Sequence, residues 1–564
     1  MVAPTKQYLP TKDYHLPDID LLSLIFDSPL AWANEDTVLH AEAADPTNKL
    51  TKAETRTLTK RLAHVFRNKF GIGSNGPNKD VVVCISSGQI ILASLFYGVV
   101  AAGGIYSAAS SAFQSGELSR QLKQGKSGLL LASIDCKDTA IKAAQECNIP
   151  MSRVLLFDTM GHMRILADVE SNTNYLDSKA EMDWPRITDP EELKKSKACL
   201  LYSSGTTGPP KGVIVSHLNM VSEAMLPQFV IREYLERQEK KDPSFNFEYR
   251  TLAHLPAAHI AGLQGYLINP AIAGGPVYWM PKFDFPMFLK YCKELRITSF
   301  FTVPPIYLLI AKSPLVTDQF ASMQHAISGA APMGRELQTA AQQRMGCYIS
   351  QTWGLSETTG SVTLMPWDQN DLSGSVSPVM PNTRLRIVDD HENDVVEGQE
   401  GELIVQSPVV SQGYFDNEKA TKESFTADGL WFKTGDIGLV RDGMFYVVDR
   451  KKELIKYKGL QVAPAELEAH LIAHDKILDA AVIGVPAPDG SGNELPRAYV
   501  VANKDAMGED AIKKYVKDAM ASHKQLRGGV VYLEAIPKSP SGKILRRELR
   551  EMAKKENRGH GAKL

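Results

Sequence analysis

The chain reads as an α/β protein with a β-rich part, followed by a small α+β unit. Three observations predict this. Strand-length apolar runs (VVVCIS, GLLLAS, RVLLFD, ACLLYSS, KGVIVS) alternate with amphipathic stretches such as GELSRQLKQGK, the pattern of helices packed on a largely parallel sheet. From about Gly374 short strands take over: TRLRIVDD, GELIVQS and DIGLVRDGMFYVVD. After Asp449 the order becomes helix, strand, strand, helix, strand, helix, a unit of a size that folds alone. With 564 residues, the chain is too long for one core. The charged step Arg450-Lys451-Lys452 places the division between residues 1–450 and 451–564.

Residues 81–115 carry no charge, so a membrane span has to be considered. Ser86-Ser87-Gly88-Gln89 and Gly103-Gly104 interrupt the run, which therefore reads as strand, buried helix, strand. The first fifteen residues have no signal-peptide apolar segment. Residues 71–76 match GxGxxG, but they follow the helical pattern LTKRLAHVFRNKF. A dinucleotide fingerprint follows a strand and opens a helix, so this match is rejected. Residues 231–250 are charge-dense and read as a solvated excursion. Asp442-Gly443 between two apolar runs predicts a hairpin turn. Lys plus Arg number 63 against 65 Asp plus Glu, a balance that recruits neither nucleic acid nor an anionic membrane. The six cysteines show no CxxC pair or metal-ligand spacing and read as reduced thiols.

The chemistry begins at SSGTTGPPKG, residues 203–212. It is not a Walker A loop, because Pro210 stands where Gly is required and Lys211 is followed by Gly212. The strands ACLLY and KGVIVS flank it, so it joins strand to strand. Glycines let backbone N–H groups approach an anion closely. Ser203, Ser204, Thr206 and Thr207 add hydroxyls, and Lys211 adds a positive charge. This composition favours phosphate binding over an empty mobile loop.

YSSGTTGPPKGVIVSH resembles the phosphate loop of the adenylate-forming superfamily: acyl-CoA synthetases, aryl-CoA ligases, luciferases and adenylation domains. Further blocks follow in the family's order: LPAAHIAG, SGAAPMG, QTWGLSETTG, WFKTGDIG, VVDRKKELIKYKGLQVAPAELEAHL and PKSPSGKILRR. The KYKGLQVAPAELEAHL block looks closest to 4-coumarate:CoA ligase and related aryl- or acyl-CoA ligases. The resemblance implies activation of a carboxylic acid by ATP to an acyl-adenylate and pyrophosphate. CoA then displaces AMP to give a thioester. It also implies an N-terminal domain binding ATP and acid, and a mobile catalytic domain after it.

Carried over by matched position, Ser203, Ser204, Gly205, Thr206, Thr207, Gly208 and Lys211 would hold the β- and γ-phosphates. Ala330 and Trp353, the latter in place of the usual Tyr, would flank adenine. Asp436 would accept the ribose hydroxyls, Arg450 would contact ribose or phosphate, and Ser356, replacing Thr, would touch the α-phosphate. Glu357, with Thr207, would serve Mg2+. His259 would lie near the acyl carboxylate, and Lys543 would bridge carboxylate and ATP during adenylation. Lys456, with Gln461 nearby, would serve thioester formation after rotation about a hinge at Lys452.

Ile260, Ala261, Gly329 and Thr352 fall where the family builds its acid pocket. Ala261 replaces a tyrosine of the plant coumarate enzymes and Thr352 a glycine, and residues 358–362 run one residue out of step. Coumarate is therefore not carried over. An aryl, phenylalkanoic or fatty acid stays open, as does loading onto a carrier protein in trans, a luciferase-like oxygenase, or an inactive binding module. Ala562-Lys563-Leu564 differs only at its first position from the Ser-Lys-Leu peroxisomal address, so a peroxisomal import receptor is an expected partner.

Overall fold

The computed structural model describes residues 6–561, apart from residues 163, 204–209, 459, 489–490 and 540–541 and the side chains of 203 and 557–561. The phosphate-loop residues Ser204, Gly205, Thr206, Thr207 and Gly208, and the terminal tripeptide 562–564, lie outside the described residues.

The uncharged run forms the expected strand Val81–Ser86, helix Leu92–Ala101 and strand Ile105–Ser110. The helix is buried on every side and the two strands pair in parallel. Leu129–Ser133 and Val154–Asp158 continue the parallel set, with Ile165–Asp168 antiparallel at one edge. Lys197–Ser203 and Lys211–Ser216 complete the seven-stranded sheet at the other edge. Strands covered on both faces must be apolar at nearly every position, and these are. The GxGxxG run is a loop between helix Lys52–Phe70 and strand Val81–Ser86.

A second, three-stranded parallel sheet is formed by Ser299–Thr302, His325–Ser328 and Tyr348–Gln351. A four-stranded antiparallel sheet follows: Arg384–Val388, Gly401–Gln406, Phe432–Arg441 and Met444–Arg450. Its last hairpin turns at Asp442 and Gly443, both with positive φ (51° and 76°), the geometry an Asp-Gly turn supplies. The last part of the chain packs helices Pro464–Ala473, Glu509–Ala519 and Arg546–Gly561 around the sheet Ile477–Pro486, Glu494–Ala502, Val530–Tyr532.

One expectation is corrected. Residues 231–241 are the second half of a 25-residue helix, His217–Lys241, and only 242–250 run without regular structure before the strand at Thr251. Arg232 and Leu235 are buried there, the Arg232 guanidinium donating to the carbonyls of Leu30 and Ile272. The charge-dense sequence belongs to one exposed flank of a helix whose other flank packs inward. No helix among the described residues is long and apolar enough to cross a membrane. All six cysteines are unpaired.

The small C-terminal unit docks on the larger one through specific contacts. Lys312 Nζ donates to the carbonyls of Ile472 (3.2 Å) and Ile477 (2.8 Å). Asp449 Oδ2 accepts the backbone N–H of Ala465 at 2.9 Å, in the first turn of helix Pro464–Ala473, where a carboxylate is favoured. Gly542 lies against Val303 and Pro305; a Cβ there would meet Val303 Cγ2 at 3.1 Å.

Candidate active site

Ligands of open α/β sheets bind beyond the carboxyl ends of the parallel strands. Here those ends converge. Lys197–Ser203 runs into the phosphate loop, Ser328 into Gly329 and Ala330, and Gln351 into Thr352 and Trp353. Ala330 adopts φ +67°, a left-handed conformation uncommon for alanine. Gly329 has no room for a side chain, since a Cβ would lie 2.8 Å from the Phe301 ring and 3.1 Å from the Thr352 carbonyl. Thr352 turns its hydroxyl to the Thr363 carbonyl (2.7 Å), leaving its methyl as the group it can offer a neighbour.

The antiparallel sheet supplies the opposite wall. Asp436 and Arg450 are direct register partners on adjacent strands, joined at 2.6 Å from Arg450 Nε to Asp436 Oδ1. Trp353 Nε1 donates to Asp436 Oδ2 at 2.7 Å. Asp436 is 3% exposed. Burial pushes its carboxyl above the ordinary range, while Arg450 and the Trp353 hydrogen bond pull it back. Both oxygens are thus fixed in place, each with a lone pair to spare.

Glu357, in the short turn Ser356–Thr358, is buried, and its Oε1 accepts the Tyr414 hydroxyl at 3.0 Å. Lys211 opens the strand after the phosphate loop, with Nζ 4.8 Å from the centre of the Tyr414 ring. Tyr414 thus ties the predicted phosphate lysine to the predicted metal-associated glutamate. Sequence reasoning missed it. Its only signal was an aromatic after Gly413 in SQGYFDN, and its importance arises from a bridge pairing with Val213, about 200 residues earlier.

Lys543 comes into this cleft from the C-terminal unit. It feels the charges of Arg450, Glu357 and Asp436, and burial, followed by Arg450, pushes its ammonium below the ordinary lysine range. His259, at the start of helix Ile260–Gly262, feels Lys543 in turn and is pushed down to about 3, chiefly by burial. Its imidazole is therefore neutral near pH 7, and Nδ1 accepts the Ala261 N–H at 3.4 Å. Ile260 is buried and Ala261 half-buried along the next turns, which pass into a π-helical segment, Leu263–Ile268. Such widened turns are frequent at functional sites.

Lys456 and Gln461 are not in the cleft. They face each other across the hairpin Ile455–Tyr457 and Leu460–Val462, and both are exposed. Lys452 is exposed just before that hairpin. One lysine of the C-terminal unit is presented to the cleft and the other is displayed away from it.

Residues 30–415 match the model for the AMP-binding enzyme family, and residues 466–543 match the AMP-binding enzyme C-terminal domain. A protein of Emericella nidulans, provisionally named an acyl-coenzyme A synthetase, is 54% identical over 559 residues, covering 99% of this chain and 100% of its own length. A phenylacetyl-CoA ligase of Aspergillus niger is 31% identical over 546 residues, covering 95% of this chain and 97% of its own length. The crystal structure of ATP-bound MatB from Rhodopseudomonas palustris has the same fold, with a TM-score of 0.79 at 24% identity over 94% of this chain and 98% of its own. The chain belongs to the AMP-binding enzyme family and is an acyl-CoA synthetase.

Proposed function

We propose that this arrangement is the adenylation state of the enzyme and that its residues divide the two half-reactions between them. The observation that carries this reading is the placement of Lys543 among Arg450, Glu357, Asp436 and His259, with Lys456 exposed elsewhere. Attack of a carboxylate on the α-phosphate crowds anions together, so cations fixed beforehand stabilise the transition state. Lys543 and Arg450 supply that charge beside the reacting atoms. Lys211, with residues 203–208, holds the departing pyrophosphate, and Ser356 offers a hydroxyl to the α-phosphate. Asp436 accepts the ribose hydroxyls on lone pairs that Trp353 and Arg450 leave free, and Ala330 and Trp353 border the adenine.

Magnesium fits this cleft as an ion bound largely through phosphates. Among the described residues no group of three or more His, Cys, Asp or Glu could hold a metal; Glu357, with Thr207, would hold Mg2+, which would offset negative charge on the phosphates. The acid lies along Ile260, Ala261, Gly329 and Thr352, its carboxylate toward His259 and Lys543. The small side chain at residue 261 favours a bulky aryl, phenylalkanoic or fatty tail. Rotation about Lys452 exchanges Lys543 for Lys456 and Gln461 before CoA attacks. We also propose Ala562-Lys563-Leu564 as a peroxisomal address, tested by imaging a tagged protein with and without it.

The test is ATP-dependent pyrophosphate release over a panel of aryl, phenylalkanoic and fatty acids, with and without CoA. Release with one class, accelerated by CoA, supports the reading. Single-turnover release indifferent to CoA points to a carrier protein as acceptor.

A further inference from the structure

Glu357 is a single carboxylate in the cleft, and a carboxylate holds a cation only as well as its neighbours aim it. Its neighbour is Tyr414, a residue that the chemistry above does not use. The Tyr414 hydroxyl donates to Glu357 Oε1 at 3.0 Å, and Glu357 is among the charges that Lys543 feels. The ring of the same tyrosine carries Lys211, whose Nζ lies 4.8 Å from the ring centre, within reach of a cation–π attraction. Tyr414 thus stands between the lysine assigned to the phosphates and the glutamate assigned to their metal.

The backbone leaves this side chain little freedom. Residues 413–415 lie beside the strand Lys211–Ser216, with Tyr414 opposite Val213. The Ile214 N–H donates to the Gly413 carbonyl at 2.9 Å, and the Phe415 N–H to the Gly212 carbonyl at 2.8 Å. Just before them, the Ser411 N–H donates to the backbone carbonyl of Glu357 at 2.8 Å. Thr421 Oγ1 accepts the Tyr414 N–H at 2.9 Å. Gly413 lets the chain pass so close to Thr421: its φ is +103°, and an added Cβ would lie 2.3 Å from Thr421 Cγ2. One short segment is therefore fastened both to the strand that begins at Lys211 and to the turn that carries Glu357.

A phenol suits this place for a chemical reason. It donates one hydrogen bond and brings no positive charge, whereas Lys or Arg in its place would bring one that repels the ion. The hydroxyl fixes Oε1 and leaves Oε2 for the cation. Partners that orient a metal-binding group in this way are worth about 10- to 100-fold in metal affinity.

We infer that Tyr414 is a positioning residue whose hydroxyl aims Glu357 at the magnesium of bound ATP. This rests on the reading of Glu357 as the magnesium-associated carboxylate. Loss of the hydroxyl then weakens the binding of ATP with its metal and spares the binding of ATP without it.

The experiment titrates ATP into the full chain by calorimetry, once with Mg2+ and once with EDTA. Wild-type protein should bind ATP more tightly with Mg2+. Tyr414→Phe keeps the ring beside Lys211 and removes only the hydroxyl. It should weaken binding about 10-fold with Mg2+ and leave binding in EDTA unchanged, which also shows that the variant is folded. Glu357→Gln should lose as much, and adding Tyr414→Phe to it should lose nothing more, because the hydroxyl acts through that carboxylate. Wild-type binding by Tyr414→Phe with Mg2+, equal losses with and without the metal, or additive losses in the double variant would each overturn the inference while leaving the role of Glu357 intact. A Glu357→Gln variant that keeps the full advantage of Mg2+ would overturn the reading of Glu357 and the inference with it.

Discussion

Trp353 Nε1 donates to one oxygen of Asp436 at 2.7 Å while Arg450 Nε holds the other at 2.6 Å. A carboxylate this deeply buried would otherwise turn or take up a proton, and its orientation toward a ribose would be lost. The tryptophan thus positions the aspartate in addition to bordering the base, a task phenylalanine cannot perform.

Trp353→Phe should therefore raise KM for ATP about 10-fold, the worth of roughly 1.5 kcal/mol for a hydrogen bond to a charged group. KM for the acid should change little. An unchanged KM for ATP in steady-state kinetics would show that Arg450 alone holds Asp436.

The second prediction concerns pH. Burial and the neighbouring Arg450 lower the Lys543 pKa from its ordinary 10.5, against the opposing pull of Glu357 and Asp436. The cation is lost as pH rises through that lowered value, so the adenylation half-reaction should fall on an alkaline limb below pH 10.5. His259 is already neutral across this range and contributes no limb there. Lys543→Arg, if active, should move the limb to higher pH, because guanidinium does not titrate in this range. A limb unmoved by that substitution would assign it to another group.

The third concerns docking. Lys312 donates to the carbonyls of Ile472 and Ile477 only while the C-terminal unit sits as it does here. Lys312→Met should slow adenylation about 3- to 10-fold, the cost of a net contribution near 1 kcal/mol, without slowing thioester formation from supplied acyl-adenylate. Equal slowing of both steps in a single-turnover assay would mean the contact persists through the cycle.

Much of this was legible in the residues themselves. Asp442-Gly443 specifies its turn locally, and the uncharged run from Val81 declares two strands and a buried helix because each face is apolar. Lys543, Asp436, Arg450, Glu357 and His259 were named from motif blocks that lie far apart in sequence, and the fold gathers them in one cleft. The second half of helix His217–Lys241 was misread because its charges mask an inward stripe made by few residues. Tyr414 carried almost no local signal. Its partner, Glu357, lies 57 residues away in the chain, and only tertiary pairing brings them together.

The central claim is that two lysines of one mobile unit serve two half-reactions in turn. The most direct measurement separates those half-reactions in Lys543→Ala and Lys456→Ala: acyl-adenylate formation from acid and ATP, then thioester formation from supplied acyl-adenylate and CoA. The account predicts that Lys543→Ala loses the first step by at least about 100-fold, as removal of a transition-state charge contact does, and retains the second. Lys456→Ala should show the reverse bias. Equal impairment of both steps by Lys543→Ala would contradict the account.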